Sequence, residues 1–248
     1  MKVIILAAGK GKRLHSEQFH LPKVLRKACG RPLLSYVLDN VSFVPKKDTV
    51  IVVGFMGDEV IKEVNNSEYT FVEQKEQLGT GHAVMMAKDA LKDYDGPVLV
   101  CFGDMPLFKQ ETYEKMFEVH KAEGNDCTIL TGITDTKLAY GRIIRDADGK
   151  FVEVVEDKDC TPEQKEIKEL NVGINIYDSK KLFAVLGQLK NNNAQGEYYL
   201  TEAPSLIMAQ GGKVGTYTTM DGDEIIGVNT VEELEAAEAI IEKRKANA

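Results

Sequence analysis

A chain of 248 residues that is 43% hydrophobic can bury one substantial core, and its formal net charge of −8 argues against a broad nucleic-acid-binding surface. Four cysteines without CxxC spacing and four histidines without metal-ligand pairing exclude a disulfide scaffold and a structural zinc site. No apolar run is long enough to span a bilayer, so the composition predicts a soluble protein of the reducing cytoplasm with no nucleic-acid or membrane partner.

The charge is not spread evenly. Residues 1 to 31 hold eight of the 31 Lys/Arg but one of the 39 Asp/Glu, Glu17. Such segregation suits a small polyanion held at one place on an acidic protein. Within that stretch, residues 3 to 8 predict a buried strand, because the apolar run ends at Gly9 and is too short for a helix. Gly9 and Gly11 can take positive φ and let the backbone approach a ligand, so that successive N–H groups point at one anion. Lys10, Lys12, Arg13 and Lys23 surround that anion with charge. Leu14 stands where a dinucleotide fingerprint has its third glycine, and no Gly-Lys-Ser/Thr ending follows, so the ligand is neither NAD nor a Walker-loop nucleotide. The run is also too short for a signal peptide.

Strand-like and helix-like segments then alternate. Leu34, Val37, Leu38 and Val41 share one face of a helix beginning near Pro32, and Thr49 to Val53 is a β-branched strand. Asp58 to Val64 predicts a short helix and Tyr69 to Val72 a strand; Ala83, Ala87, Ala90 and Leu91 mark a helix opening at the GTGH segment, and Val98 to Phe102 is a buried strand. This alternation implies right-handed crossovers and a mainly parallel sheet, with ligands at the carboxyl ends of its strands. Gly9, Gln74 and Asp104 lie just past such ends. After a helix around Glu111 to Ala122 and a strand near Cys127 to Ile133, residues 142 to 157 predict a hairpin turning at Asp148-Gly149, hence an antiparallel lobe. Thr161 to Gln164 is a capping box with Pro162 at the first helical position. A strand, Leu170 to Tyr177, and a helix, Ser179 to Leu189, follow, and Pro204 starts or kinks the helix after Tyr199. Strands Val214 to Thr219 and Glu224 to Val228 precede a last helix capped by Thr230 with Glu233.

Asp104 leaves a central strand opposite the basic loop, where a hard divalent cation would bridge it to phosphate oxygens. Asn229, just past the predicted Glu224 to Val228 strand, offers a neutral oxygen to the same cation.

Several stretches together, LAAGKGKRL with LPKVL, EQKEQLGTGHA, FGDMPL, AYGRIIRD, VEDKD, NVGINIYD, NNNAQGEYYLTE and GVNT, resemble the uridyltransferase domain of bacterial N-acetylglucosamine-1-phosphate uridyltransferases. The resemblance runs from about Val3 to Asn229. It implies an α/β fold, Rossmann-like, with a mixed, mainly parallel sheet, helices on both faces and a small antiparallel sugar-binding lobe at about residues 140 to 200. The nucleotidyltransferase domain would span 1 to 229, and a C-terminal helix 230 to 248. By the same resemblance Leu6, Ala7, Gly9, Gln74, Gly79 and Thr80, with Gly11 of the loop, hold the uridine nucleotide. Lys23 and Arg13 serve the phosphates, Gly141, Glu156, Asn171 and Asn229 surround N-acetylglucosamine, and Asp104 and Asn229 hold Mg²⁺. Two departures from the family pattern stand out: Lys12 replaces the usual threonine, and the segment between Arg13 and Lys23 is about three residues longer.

The implied reaction needs no general base, since a sugar 1-phosphate is already an anion that can attack the α-phosphorus of UTP. Positioning and charge neutralisation must supply the catalysis. Two alternatives stand beside this reading: a sister nucleotidyltransferase using another sugar or dTTP, and a silent nucleotide-sugar-binding module, against which Arg13, Lys23 and Asp104 speak. The longer enzymes of the family often carry a second, acetyltransferase domain of hexapeptide repeats. The present sequence has good helix formers over 230 to 248, with Val231, Leu234, Ala237 and Ile241 as the apolar series, and no six-residue periodicity. It therefore predicts no acetyl transfer to glucosamine 1-phosphate. The trimer contacts of those enzymes lie largely in the acetyltransferase domain, so the resemblance implies no oligomeric state.

Overall fold

The computed structural model describes residues 1–14, 16 and 18–247. His15 and Glu17 of the long Arg13-to-Lys23 segment, the Lys12 side chain and Ala248 of the predicted last helix lie outside the described residues. In chain order the regular elements are β1 (Lys2–Ala7), β2 (Lys27–Ala28), β3 (Arg31–Pro32), α1 (Leu33–Asn40), β4 (Thr49–Val53), α2 (Gly57–Val64), β5 (Thr70–Glu73) and α3 (Thr80–Met86). There follow β6 (Pro97–Phe102), α4 (Gln110–Glu123), β7 (Cys127–Ile133), β8 (Gly141–Arg145), β9 (Phe151–Val155), α5 (Pro162–Lys165) and β10 (Glu169–Asp178). The chain ends with α6 (Ser179–Leu186), α7 (Ala203–Ala209), β11 (Val214–Thr219) and α8 (Val231–Ala246). No helix among the described residues is long and apolar enough to cross a membrane.

The main sheet runs β11-β7-β10-β6-β1-β4-β5, and in it β10 alone runs against the other strands. Central strands made of continuous Val, Ile and Leu are buried on both faces, which requires a layer of helices on each side. The odd residues of β1, Val3, Ile5 and Ala7, pack in one layer with α1, α2 and α4. Its even residues, Ile4 and Leu6, pack in the other with α3, α6 and α7. The fold is thus the mixed, mainly parallel α/β architecture that the alternation of segments implied. Helix α6 stops at Leu186, before the predicted Leu189, with Gly187 at its C-cap; Leu189 remains buried as the chain turns.

The antiparallel part is not a free-standing lobe. The hairpin β8–β9 turns through Asp146–Lys150, with Gly149 at φ 77°, and pairs with the first half of β10, whose second half pairs with β6, while β7 lies along the other edge of both halves. The ladder between β10 and β7 is broken by a bulge between Asn171 and Asn175. Gly173 sits in it at φ 82°, where a Cβ would come within 2.6 Å of the Phe102 ring. A bulge bends a strand and re-aims its side chains, which here concerns Asn171.

The expected strand Glu224 to Val228 does not form. Its alternation of apolar residues mimics a strand, but Glu224 is drawn into a turn and is 1% exposed. Its carboxylate accepts hydrogen bonds from Lys109 N at 3.0 Å, Thr112 Oγ1 at 2.7 Å and Thr219 Oγ1 at 2.7 Å, so it caps α4. The backbone that follows is satisfied without a ladder. Tyr140 donates its hydroxyl proton to Ile225 O and accepts from Gly227 N, both at 2.9 Å, and Val228 N donates to Asp104 O at 3.0 Å. Substituting Glu224→Ala leaves these buried donors unpaired, and urea unfolding should show a loss of about 2–3 kcal/mol at unchanged m-value.

Candidate functional site

Two adjoining cavities open at the carboxyl ends of β1, β5 and β6, of about 660 and 230 Å³. Thr80, Phe102, Asp104 and Asn229 line both. Of the residues singled out by sequence, Leu6, Gly9, Gly11, Arg13, Lys23, Gln74 and Gly79 line the larger cavity, and Gly141, Glu156 and Asn171 the smaller. Ala7 lines neither. Strand alternation turns its side chain into the opposite core layer, so only its backbone lies near the cleft.

The loop after β1 differs from expectation at one glycine. Gly11 takes φ 60°, and a Cβ there would meet Ser16 Oγ at 2.5 Å and the Lys23 Cβ at 2.7 Å. Gly9 is not in the positive-φ region, and a Cβ there would meet nothing within 4 Å. Gly9 therefore answers no steric demand of the protein itself and leaves open space on the cavity wall. Leu14 is fully buried with Ala28, Leu33, Leu107 and Val228, so the position of a third glycine is taken by an apolar plug that anchors the loop against α8.

The cavities meet at three side chains from distant parts of the chain. The Lys23 ammonium is paired with the Asp104 carboxylate and donates to Asn229 Oδ1 at 2.8 Å. Asn229 is held there because it precedes α8, where Thr230 and Glu233 close a reciprocal capping box. The Val228 N to Asp104 O bond ties the two backbones together. Two hard oxygens already converge on one cation, which is the donor chemistry a divalent metal needs beside phosphate oxygens and water. Among the described residues no cluster of three or more His, Cys, Asp or Glu offers an all-protein metal cage.

The GTGH turn is stitched to the segment that carries Tyr198 to Thr201. Tyr198 N donates to Leu78 O and Gly81 N to Tyr198 O, both at 2.8 Å, and Leu200 N donates to Thr80 Oγ1 at 3.1 Å. A Cβ at Gly79 would stand 2.7 Å from Tyr198 O, and one at Gly81 2.9 Å, so both glycines are required by backbone contact. On the far side of this seam lies the smaller cavity. Asn171 is 5% exposed and bends over its bulge, with Oδ1 accepting from Gly173 N at 3.1 Å; it lines the cavity rather than facing water.

Sequence reading missed several lining residues. Tyr140 and Thr201 lie within recognised stretches but act through hydroxyl bonds made at long range. Burial pushes the Tyr140 hydroxyl well above its ordinary value, so it stays a neutral donor. Gln77, Lys158, Gln195 and Glu197 also line the larger cavity; they too fall within recognised stretches, which assign them no role.

Thr201 Oγ1 donates to Glu156 Oε1 at 2.9 Å. Burial nevertheless raises the Glu156 carboxyl above the ordinary glutamate value, outweighing that bond, with Asp159, Asp157 and Glu197 adding repulsion. A carboxyl raised in the folded state binds its proton more tightly there than in the unfolded chain. It therefore lowers stability as pH rises through the window above the ordinary value, and the cost disappears at lower pH. At neutral pH, Glu156→Gln should raise the thermal midpoint, and the gain in midpoint should shrink on acidification. A lower midpoint at neutral pH would contradict this reading.

Residues 3–171 match the model of the MobA-like NTP transferase domain. The bifunctional protein GlmU of Caldanaerobacter subterraneus subsp. tengcongensis is 46% identical over 97% of this chain and 51% of its own length. That of Thermoanaerobacter pseudethanolicus is 45% identical over the same shares. The chain thus spans about half the length of the curated relatives it matches. The structure of a UDP-glucose pyrophosphorylase with UDP-glucose superposes with a TM-score of 0.76 at 19% identity, covering 98% of both chains, a likeness of fold. The chain belongs to the MobA-like NTP transferase domain family.

Proposed function

We propose that this chain joins UTP and N-acetylglucosamine 1-phosphate to form UDP-N-acetylglucosamine and pyrophosphate, in the cytoplasm. The observation that carries the reading is the junction of two cavities at Lys23, Asp104 and Asn229. One cavity has a basic glycine loop and a buried amide, and the other is lined by hydroxyl, amide and carboxylate groups suited to a sugar. The 42% to 46% identity to GlmU proteins over 97% to 98% of the chain supports the choice of substrates.

In the proposed reaction an oxygen of the sugar phosphate forms a bond to the α-phosphorus of UTP, and the bond from that phosphorus to the bridging oxygen of pyrophosphate breaks. The nucleophile is already ionised, so the task is to bring two anions together and to stabilise charge on the departing pyrophosphate. Gly9 leaves room for the triphosphate beside the loop, and Lys10, Arg13 and Lys23 face it with positive charge. Asp104 and Asn229 would hold Mg²⁺, which when bound neutralises phosphate charge. Gln74 and the Gly79 turn take the uracil end. Gly141, Glu156, Asn171 and Asn229 take the sugar in a lobe built on the hairpin and β10.

Pyrophosphate release across a grid of nucleotides and sugar 1-phosphates tests this directly. UTP with N-acetylglucosamine 1-phosphate should exceed ATP or GTP with the same sugar by a wide margin. Preference for glucose 1-phosphate would instead indicate a sister enzyme. Lys23→Ala and Asp104→Ala should each reduce turnover by about a hundredfold or more while the fold survives. Near-normal turnover of either variant at saturating magnesium and substrates would overturn its role.

A further inference from the structure

Gln74 is 3% exposed at the wall of the larger cavity, with its backbone N–H donated to Val53 O at 2.7 Å. Its side-chain nitrogen lies 3.0 Å from Gly79 O and 3.0 Å from His82 Nδ1. A backbone carbonyl can accept but never donate, so the contact with Gly79 O fixes which end of this amide carries hydrogens. An amide nitrogen has no lone pair to accept with, and its second hydrogen faces His82. His82 Nδ1 is therefore the bare nitrogen of the ring, and the ring proton sits on Nε2. Both hydrogens of the Gln74 amide are then committed inside the protein. The oxygen is what remains for a ligand, and among the described residues Oε1 accepts no hydrogen bond. Gln74 thus presents an acceptor, not a donor and acceptor together.

We propose that His82 is a positioning residue for base selection: by accepting one hydrogen of the Gln74 amide it leaves Oε1 as the group that meets the base. This rests on the uridylyl-transfer reading above and deepens it. An acceptor at that place pairs with the N3–H of uracil or thymine and repels cytosine, whose N3 is itself an acceptor. Without an acceptor at position 82, the amide keeps its tie to Gly79 O and can tilt its second hydrogen toward the cavity, where it pairs with cytosine N3. His82 touches no reacting atom in this scheme, so its effect falls on KM rather than kcat.

Calorimetric binding of UTP, CTP and N3-methyluridine triphosphate, with pyrophosphate release alongside, tests the inference on wild type, His82→Leu and His82→Asn. Wild type should bind UTP about a hundredfold more tightly than either of the other two nucleotides. His82→Leu should lose about tenfold of the UTP/CTP ratio, through KM with kcat little changed. His82→Asn, whose Oδ1 can take the place of Nδ1, should restore most of it. An unchanged ratio in His82→Leu overturns the inference, as does equal loss in both variants, which would mean packing alone. Tight binding of N3-methyluridine triphosphate by wild type overturns it without any substitution. Nucleotide binding is read without sugar phosphate, so a wrong sugar assignment leaves this test intact. Absence of pyrophosphate release from UTP with every sugar phosphate would sink the proposed reaction alone.

Discussion

The structure turns on one ammonium group. Lys23 comes from the loop after β1, Asp104 from the exit of β6 and Asn229 from the threshold of α8, and the lysine bonds to both of the others at the seam between the cavities. Each arrives by a different device. Gly11 at positive φ closes the loop against Ser16 and Lys23, the buried β6 delivers Asp104, and a capping box fixes Asn229. Loss of any one device shifts a partner of the same cation. A polar cluster assembled across more than 200 residues of chain is held by rigid elements rather than by its own attraction, which is modest for partly solvated pairs.

A second constraint joins the two ends of the cleft. The Gly79 and Gly81 turn exchanges backbone hydrogen bonds with Tyr198, and Thr80 receives Leu200 N, one residue before the Thr201 that bonds Glu156. Tyr140 likewise braces the 225–227 segment, two residues from Asn229. In the proposed reaction, the wall that meets the base and the wall that meets the sugar are therefore parts of one hydrogen-bonded frame. That frame explains why the two glycines are fixed by backbone contacts, whereas Gly9 is fixed by none within the protein.

Local signals in the sequence were read correctly where local physics decides. The continuous β-branched run Thr49–Val53 and the β-rich, largely apolar Cys127–Ile133 form strands, and the Thr161 and Thr230 capping boxes formed as their spacing demanded. What stayed hidden depends on partners far along the chain. Glu224 looks like one residue of an alternating strand, yet three donors from Lys109, Thr112 and Thr219 draw it into a buried turn. Asn171 is marked only by the family resemblance; nothing in its own strand shows that the bulge at Gly173 turns it into a cavity. The change of neighbour along one edge of β10, from the hairpin strand β8 to β6, has no mark in its own ten residues.

The same long-range logic bears on how the cleft can receive a polyanion. In the free protein the Asp104 carboxylate already holds the Lys23 ammonium, so neither charge lies unpaired in a partly buried place, which would be costly. In the proposed reaction, a phosphate entering the basic loop would offer that ammonium a second anion beside the first, and a cation entering with it would offer Asp104 and Asn229 a replacement partner. The exchange is charge for charge. On that reading the charge of Lys10 and Arg13 would be left to act on the ligand. In the proposed reaction, an ion pair that contributes little as a source of stability would thus keep the cleft ready, because each of its members would stay matched before and after the ligand arrives.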